Sequence, residues 1–384
     1  MAAPPVKTQE PALFRVLPGL SASASASASA SALSGRASGG ASGRVPWVSL
    51  GQFPTPVEIL PIRTDLWVKR DDLSSLVYGG NKVRTLEALF GRAQASGARR
   101  IWATGAVGSN HALATVLHAR AAGLESGVML FPQPMTACAR ENLIATLAQR
   151  PAVRPLWSWA SVPFAILGER RRPGSYVMVP GGATPEGALG YVSAAFEVAE
   201  QVAAELLPLP RRVVVAVGST CTSAGLVAGF TLAVRLGLLS AAPEVVAVRV
   251  TPWPVTSAAR IVGLAVRTAA LVAELAGMDR LAASKRELAA HLRVVGGFIG
   301  RGYGHVTAAG LAAAETFRAA GGPPLDTCYS AKAAAGLLAC VTDGPTLFWA
   351  TKSSRPLPAE LAAPARDRPF GRWLSRADEV LRNP

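Results

Sequence analysis

Groupings that would bind a metal or cross-link the chain are missing from this sequence. The four cysteines, Cys138, Cys221, Cys328 and Cys340, fit no disulfide or ligand spacing. That argues against a disulfide scaffold and points to a reduced, cytoplasmic setting. No carboxylate or cysteine recurs at ligand spacing around His111 or His305, so no metal site is expected. Lysines are few, and the net charge of +15 is carried mainly by arginine. The arginines are scattered and not interleaved with aromatic residues, which speaks against nucleic-acid binding and fits a coding bias better. An unbroken apolar span is lacking too. Val213 to Val234 is uncharged and long enough to cross a membrane, but Gly218-Ser219-Thr220-Cys221-Thr222-Ser223 interrupts it. A buried strand, a polar loop and a helix account for this segment, and no membrane span is expected.

What remains is apolar and long. Half of the 384 residues are hydrophobic, enough for two domains or one large one. Ser21 to Ala32 alternates serine and alanine, and glycine, serine and alanine continue to Arg44. Such a tract buries too little surface to offset its ordering entropy, so residues 1–44 are expected to be disordered. The tract has no continuous apolar core of signal-peptide length. Strands are predicted at Leu66–Arg70, Ile101–Thr104, Gly127–Phe131, Tyr176–Val179, Val213–Val217, Val245–Val250 and Thr346–Trp349, and a helix over Phe196–Leu206. Strand, glycine-rich turn and helix alternate throughout, which predicts an α/β fold of parallel sheets with ligand loops at the strand carboxyl ends.

Three of those loops are candidates for one site. Tyr78-Gly79-Gly80-Asn81-Lys82-Val83-Arg84 places a lysine between a glycine pair and a helix start, where backbone approaches a ligand closely. A lysine desolvated there can form a Schiff base, above all with pyridoxal phosphate; the alternative is a solvated turn. Gly108-Ser109-Asn110-His111 precedes a helix that Ser109 and Asn110 could simply cap. Gly218 to Gly225 is either a phosphate cradle of converging N–H groups or a plain strand-to-helix turn. It is not a Walker loop, because no Gly-Lys-Ser/Thr follows. Asp71 and Asp72, read as neighbours on an extended segment, would face opposite ways and hold local structure.

Taken in order, Pro54-Thr55-Pro56, Lys69-Arg70-Asp71-Asp72-Leu73, Gly79-Gly80-Asn81-Lys82, Gly108-Ser109-Asn110-His111, Pro180-Gly181-Gly182, Gly187-Ala188-Leu189-Gly190-Tyr191, Tyr303-Gly304 and Leu325-Asp326 with Tyr329 resemble one family. It is the 1-aminocyclopropane-1-carboxylate deaminase/D-cysteine desulfhydrase family, and the likeness covers roughly residues 50–352. The resemblance implies a pyridoxal-phosphate enzyme of fold type II, tryptophan synthase β-like, with two parallel-sheet, three-layer domains. Residues 45–84 and 185–384 would form the large cofactor domain and 85–184 the small one. It implies a small amino-acid substrate and a homodimer. Lys82 would carry the cofactor and move the substrate α or β proton. Ser109 would meet the substrate carboxylate and Asn110 the cofactor's phenolic oxygen. Ser219, Thr220, Cys221 and Thr222 would hold the phosphate. Tyr303 would act as an acid/base or orienting group, and Thr351 would face the pyridine nitrogen. A neutral hydroxyl does not keep that nitrogen protonated, so the ring is a weaker electron sink that suits elimination more than transamination.

The sequence departs from the family at named positions. Thr85 stands where a basic residue usually neutralises the phosphate. Thr220 and Cys221 replace glycines in the phosphate loop. His-Thr-Gly-Gly reads Ala350-Thr351-Lys352-Ser353, and Val306-Thr307 replace the usual Pro-Asn. Three functions follow from this. One is a lyase or deaminase of D-cysteine or 1-aminocyclopropane-1-carboxylate. Another is an elimination or replacement enzyme for a different amino acid, such as a sulfonated one. The third is a non-catalytic binder of pyridoxal phosphate or a small metabolite.

Overall fold

The computed structural model describes residues 9–23, 43–340 and 343–357. In chain order it contains α1 (Ala12–Val16), β1 (Leu20–Ser23), β2 (Gly43–Pro46), β3 (Val57–Ile59), β4 (Leu66–Lys69), α2 (Asn81–Ala95), β5 (Arg100–Ala106) and α3 (Asn110–Ala119). These are followed by β6 (Glu125–Phe131), α4 (Ala137–Ala148), β7 (Ala152–Pro155), α5 (Val162–Arg170), β8 (Ser175–Val177), α6 (Pro185–Ala203), β9 (Arg212–Val217) and α7 (Cys221–Arg235). The last elements are β10 (Glu244–Arg249), α8 (Ala258–Ala276), α9 (Lys285–Ala290), β11 (Leu292–Val295), α10 (Ala308–Ala319), α11 (Ser330–Cys340) and β12 (Thr346–Trp349).

Two main sheets result. One has the order β11-β10-β9-β12-β4-β3, parallel except for the antiparallel edge strand β3. The other is all parallel, in the order β7-β6-β5-β8. The central strands are apolar on both faces, as a sheet covered by helices on both sides requires. In β9, Val213, Val215 and Val217 face a core shared with α6, α7 and α8. Val214 and Ala216 face the opposite way, toward Phe317 of α10 and the alanines of α11. The four-stranded sheet is covered likewise, with Ile101 and Val128 toward α2 and α3 and Trp102 and Met129 toward α5. Helix α2 serves both halves: Ala88 packs in the first core, and Leu86, Leu89 and Phe90 in the second.

The uncharged run at 213–234 is β9, a loop and α7, as its interrupted pattern predicts, and no described helix is long and apolar enough to cross a membrane. The expectation of disorder for residues 1–44 needs correction over 9–23 and 43–44; the remainder of that stretch lies outside the described residues. Leu13, Phe14, Leu17 and Leu20 are buried against α6, the Leu13 N–H donates to Ser193 Oγ at 3.2 Å, and Phe14 meets Trp47 edge-on at 5.3 Å. These apolar residues precede the serine/alanine tract and can bury surface that the tract cannot. Asp71 and Asp72 are corrected as well. They lie in a 3-10 turn, not an extended segment, and both are buried.

Asp71 belongs to a buried charge cluster. Arg84 donates to its two oxygens at 2.8 and 2.9 Å, and to the two oxygens of Glu197 at 3.0 Å each. Lys69 also pairs with Glu197 and donates to Thr55 O at 2.7 Å and Gln201 Oε1 at 2.8 Å. Tyr191 Oη and Trp349 Nε1 complete Asp71 at 3.0 and 2.7 Å. Despite burial, Arg84 and Lys69 hold the Glu197 carboxyl down at about 2, below its ordinary 4.5. Glu197→Gln leaves two cations short of a carboxylate, and about 3–5 kcal/mol of stability is expected to be lost at pH 7 in chemical denaturation. Because the folded pKa is depressed, this contribution is fully present above about 4.5 and drains away as pH falls toward about 2. The gap between wild type and variant should therefore narrow over that window; a gap constant with pH would mean that the carboxylate charge is not what stabilises.

Candidate active site

The loops at the carboxyl ends of β4, β5, β9 and β12 meet beside the turn after β8. Lys82 stands in the first turn of α2, behind Gly80 at φ +95°. A Cβ on Gly80 would lie 2.6 Å from Thr351 O, so only glycine lets the Lys82 loop pass so close to the segment after β12. The Asn81 N–H donates to Thr351 O at 2.9 Å, and Gly80 bridges to Lys352. The Lys82 amine has no hydrogen-bond partner among the described residues. Burial lowers its pKa, against the nearby Cys221 thiol, which raises it.

The turn Pro180–Gly182 borders this amine. Gly181 has φ +67°, and a Cβ there would sit 2.2 Å from Ser219 Oγ and 3.8 Å from Lys82 Nζ. Ser219 opens the loop to α7, whose N-cap Thr220 adopts a left-handed φ of +74° and makes no side-chain cap bond. The first N–H groups of α7 therefore remain available to an anion. Thr222 Oγ1 accepts from Asn81 Nδ2 at 3.0 Å, tying this loop to that of Lys82. Cys221 turns its thiol down to Gly182 O at 3.3 Å, and burial pushes it up to about 11, so at the loop it can offer only backbone.

On the other wall, Ser109 caps α3 by accepting from the Ala112 N–H at 3.2 Å. His111 is buried with neither ring nitrogen bonded among the described residues, and burial, then the Lys82 charge, pull its pKa down to about 3, so it is neutral. Asn110 Oδ1 meets Tyr78 Oη, Asn142 Nδ2 and Lys352 Nζ at 3.2, 2.8 and 3.1 Å. Tyr303 is hydrogen-bonded to Tyr329 through the two hydroxyls, their rings edge-on at 6.0 Å. Burial raises both phenols, so they stay protonated. The Tyr329 ring abuts Gly218, where a Cβ would lie 3.2 Å from Cε1. Thr351 is buried at the end of β12.

The structure thus brings Lys82, Ser219, Thr222 and Thr351 to one place, with Asn110 on the facing wall. Ser109 Oγ is engaged in its cap, and Tyr303 reaches the site's edge through Tyr329. Sequence reasoning did not single out Tyr78, Asn142 or Lys352 as site residues. Lys352 alone carried a signal, a charged residue where the family has glycine. Among the described residues no group of acidic, histidine and cysteine side chains could hold a metal.

The residues fit pyridoxal phosphate. An amine biased toward its neutral form suits a Schiff base, and the uncapped helix start with flanking hydroxyls suits a phosphate. His111 and the buried, unpartnered Ser223 Oγ are polar groups the protein leaves unsatisfied there. Comparison with known proteins agrees. Residues 48–344 match the family described as pyridoxal-phosphate dependent enzyme. The chain is 36% identical to nocardicin C-9' epimerase of Nocardia uniformis subsp. tsuyamanensis, over 83% of this chain and 98% of that protein. It is 32% identical to a D-cysteine desulfhydrase of Salmonella paratyphi C, over 79% and 93%. A crystal structure of an ACC deaminase homologue superposes with a TM-score of 0.67 at 26% identity, covering 96% of this chain and all of that one.

The cradle predicts a contrast between two glycines. Gly97 has φ +70° and no atom within 4 Å of a would-be Cβ, so Gly97→Ala meets backbone strain alone, about 1 kcal/mol in thermal or chemical melts. Gly181→Ala meets similar strain plus the clash with Ser219, and should lose about 1–3 kcal/mol more. Equal losses would remove the close approach from the account.

Proposed function

The chain belongs to the pyridoxal-phosphate dependent enzymes, in the group that holds D-cysteine desulfhydrases and 1-aminocyclopropane-1-carboxylate deaminases, and on that premise we propose that it releases sulfide, pyruvate and ammonia from D-cysteine. The observation that carries this reading is Lys82: an amine of lowered pKa, without a partner among the described residues, beside the Ser219 loop and the end of β12. When bound, pyridoxal phosphate supplies an electron sink for charge developed at the substrate α carbon. The N–H groups at the start of α7, with the Ser219 and Thr222 hydroxyls, would hold its phosphate, and Thr351 would meet its ring nitrogen. Asn110 would donate to its phenolic oxygen, and Ser109 would receive the substrate carboxylate. Lys82, once free, takes the α proton; its lowered pKa leaves part of the amine able to accept it. Tyr303, kept protonated by burial and bonded to Tyr329, has a proton for the departing sulfur.

Elimination fits the departures from the family better than cyclopropane opening. D-cysteine offers an α proton and a good leaving group, and so demands less of the weak sink beside Thr351. The two separate sheets support assigning residues 45–84 and 185–384 to a cofactor domain and 85–184 to a smaller domain that closes over the substrate; residues 358–384 lie outside the described part. Cysteines that form no disulfide support a cytoplasmic location, and a homodimer belongs to the same proposal. Similarity to an epimerase favours a second reading, in which the α proton is exchanged and nothing leaves.

The purified protein should be yellow, and Lys82→Ala should abolish the visible band of the lysine-bound cofactor. A colourless protein that takes up no added cofactor would defeat the proposal. Sulfide from D-cysteine should exceed 2-oxobutanoate from 1-aminocyclopropane-1-carboxylate, and activity on the cyclopropane alone would reverse that ranking. Tyr303→Phe should slow D-cysteine turnover by ~10²-fold or more if the phenol transfers a proton, and far less if it only packs. Deuterium uptake at the α carbon without sulfide would favour epimerisation.

A further inference from the structure

Lys352 occupies an unusual place for a lysine. Its ammonium donates to Tyr78 Oη at 2.8 Å, Asn110 Oδ1 at 3.1 Å and Asn142 Oδ1 at 3.2 Å. An ammonium has three donors, and these three oxygens use them all. No carboxylate lies within ion-pair distance of it among the described residues. Burial opposes its charge, but the Tyr78 oxygen, Cys138 and Asp326 outweigh that, and its pKa is raised. Lys352 is therefore a committed cation and not an open base.

The consequence falls on Asn110. Its Oδ1 receives Lys352, Asn142 Nδ2 at 2.8 Å and the Tyr78 hydroxyl at 3.2 Å, more donors than its two lone pairs accommodate singly. Turning the amide over would set its NH2 against these donors, one of them charged. The orientation is thus settled by the network, and Asn110 Nδ2 is left as a donor with no partner among the described residues. Asn142 is fixed in turn by donating to Gly108 O at 2.9 Å. Lys352 is itself anchored by the bridge to Gly80, two residues before Lys82.

We propose that Lys352 is a positioning residue. It locks the Asn110 amide so that Nδ2 is presented to the phenolic oxygen of pyridoxal phosphate, and it strengthens that bond by polarising the amide. This rests on the role given to Asn110 under the proposed function. A hydrogen bond to a charged oxygen is strong, and it is stronger when its donor amide is itself held by a cation.

The test compares two ligands on the same apoprotein by equilibrium titration: pyridoxal phosphate and its 3-deoxy analogue, which lacks the phenolic oxygen. Lys352→Met should weaken pyridoxal phosphate about tenfold, the scale of one charged hydrogen bond, and leave the analogue within about twofold. Asn110→Ala should show the same selectivity, and Lys352→Met added to it should weaken pyridoxal phosphate little further. Because both ligands meet one folded sample, loss of stability shifts both together. Equal weakening of the two ligands, no weakening of either, or simple addition of the two substitutions would each overturn the assignment. If wild type binds the analogue and pyridoxal phosphate equally, the role given to Asn110 fails and the inference with it. If wild type binds neither, the functional reading itself fails.

Discussion

Arg84 is held on both sides by buried carboxylates, and the site is built on that arrangement. Asp71 and Glu197 take its guanidinium from the 3-10 turn after β4 and from α6, while Trp349 at the end of β12 and Tyr191 of α6 close on Asp71. The Asp71 carbonyl also accepts the Gly80 N–H at 2.7 Å. One cluster thus fixes where β4, β12, α2 and α6 stand relative to one another, directly beneath Lys82. Two cations and two carboxylates balance within it, and nearly every donor and acceptor is used. That full satisfaction is what makes a buried ionic cluster tolerable, since removing charges from water costs several kcal/mol per ion. Its value lies more in holding position than in added stability.

A second consequence follows for the phosphate loop. Arg84 sits one residue before Thr85, where the family has a basic residue, yet its guanidinium is wholly spent below the site. In the proposed function, the loop from Ser219 to Thr222 would therefore hold the phosphate with N–H groups, hydroxyls and the α7 dipole. Thr220 bears a left-handed backbone that glycine would adopt freely. A β-branched residue there carries backbone strain that glycine would not. Thr85 contributes shape instead of charge: its methyl fills the space a Cβ on Gly182 would need, 2.6 Å away.

Much of the fold could be read from the sequence because its central strands are short, largely apolar runs that stop at a turn-forming or polar residue. β5 and β9 run into glycines and β6 into Pro132, while β4, β10 and β12 stand out by their apolar residues. The strands β3, β7 and β11 are partly exposed, lie at sheet edges, and have no such pattern. Helix α1 was hidden by the low-complexity tract beside it, although its apolar residues are ordinary. In the site, Lys82, Ser219 and Thr351 were legible through glycines and through family likeness, which report backbone that must approach closely. Tyr78, Asn142 and Lys352 were not, because Lys352 reaches the other residues of their network across more than two hundred positions. Composition and spacing carry no trace of such a contact; only the fold, which brings Asn110 of α3 and Asn142 of α4 to the segment after β12, creates it.

The two lysines of the site show how surroundings assign chemistry to one residue type. Lys82 is lined by glycines, a high-pKa thiol and a histidine held neutral; the thiol favours the ammonium, but burial outweighs it. Its pKa falls, and the amine gains the nucleophilic, proton-accepting character a Schiff-base lysine needs. Lys352 is met by oxygens on every N–H, its pKa rises, and it keeps its charge. A charged His111 would depress Lys82 further and add a second unpaired cation, so the neutrality of that buried ring is part of the same arrangement. In the proposed function, exchanging these environments would put a cation where Lys82 is to react and a neutral amine where Lys352 is to hold the Asn110 amide. Which of the two lysines is the cation and which the open amine is therefore set by the loops that surround them, and the Gly80 loop is tied to the ionic cluster through Asp71.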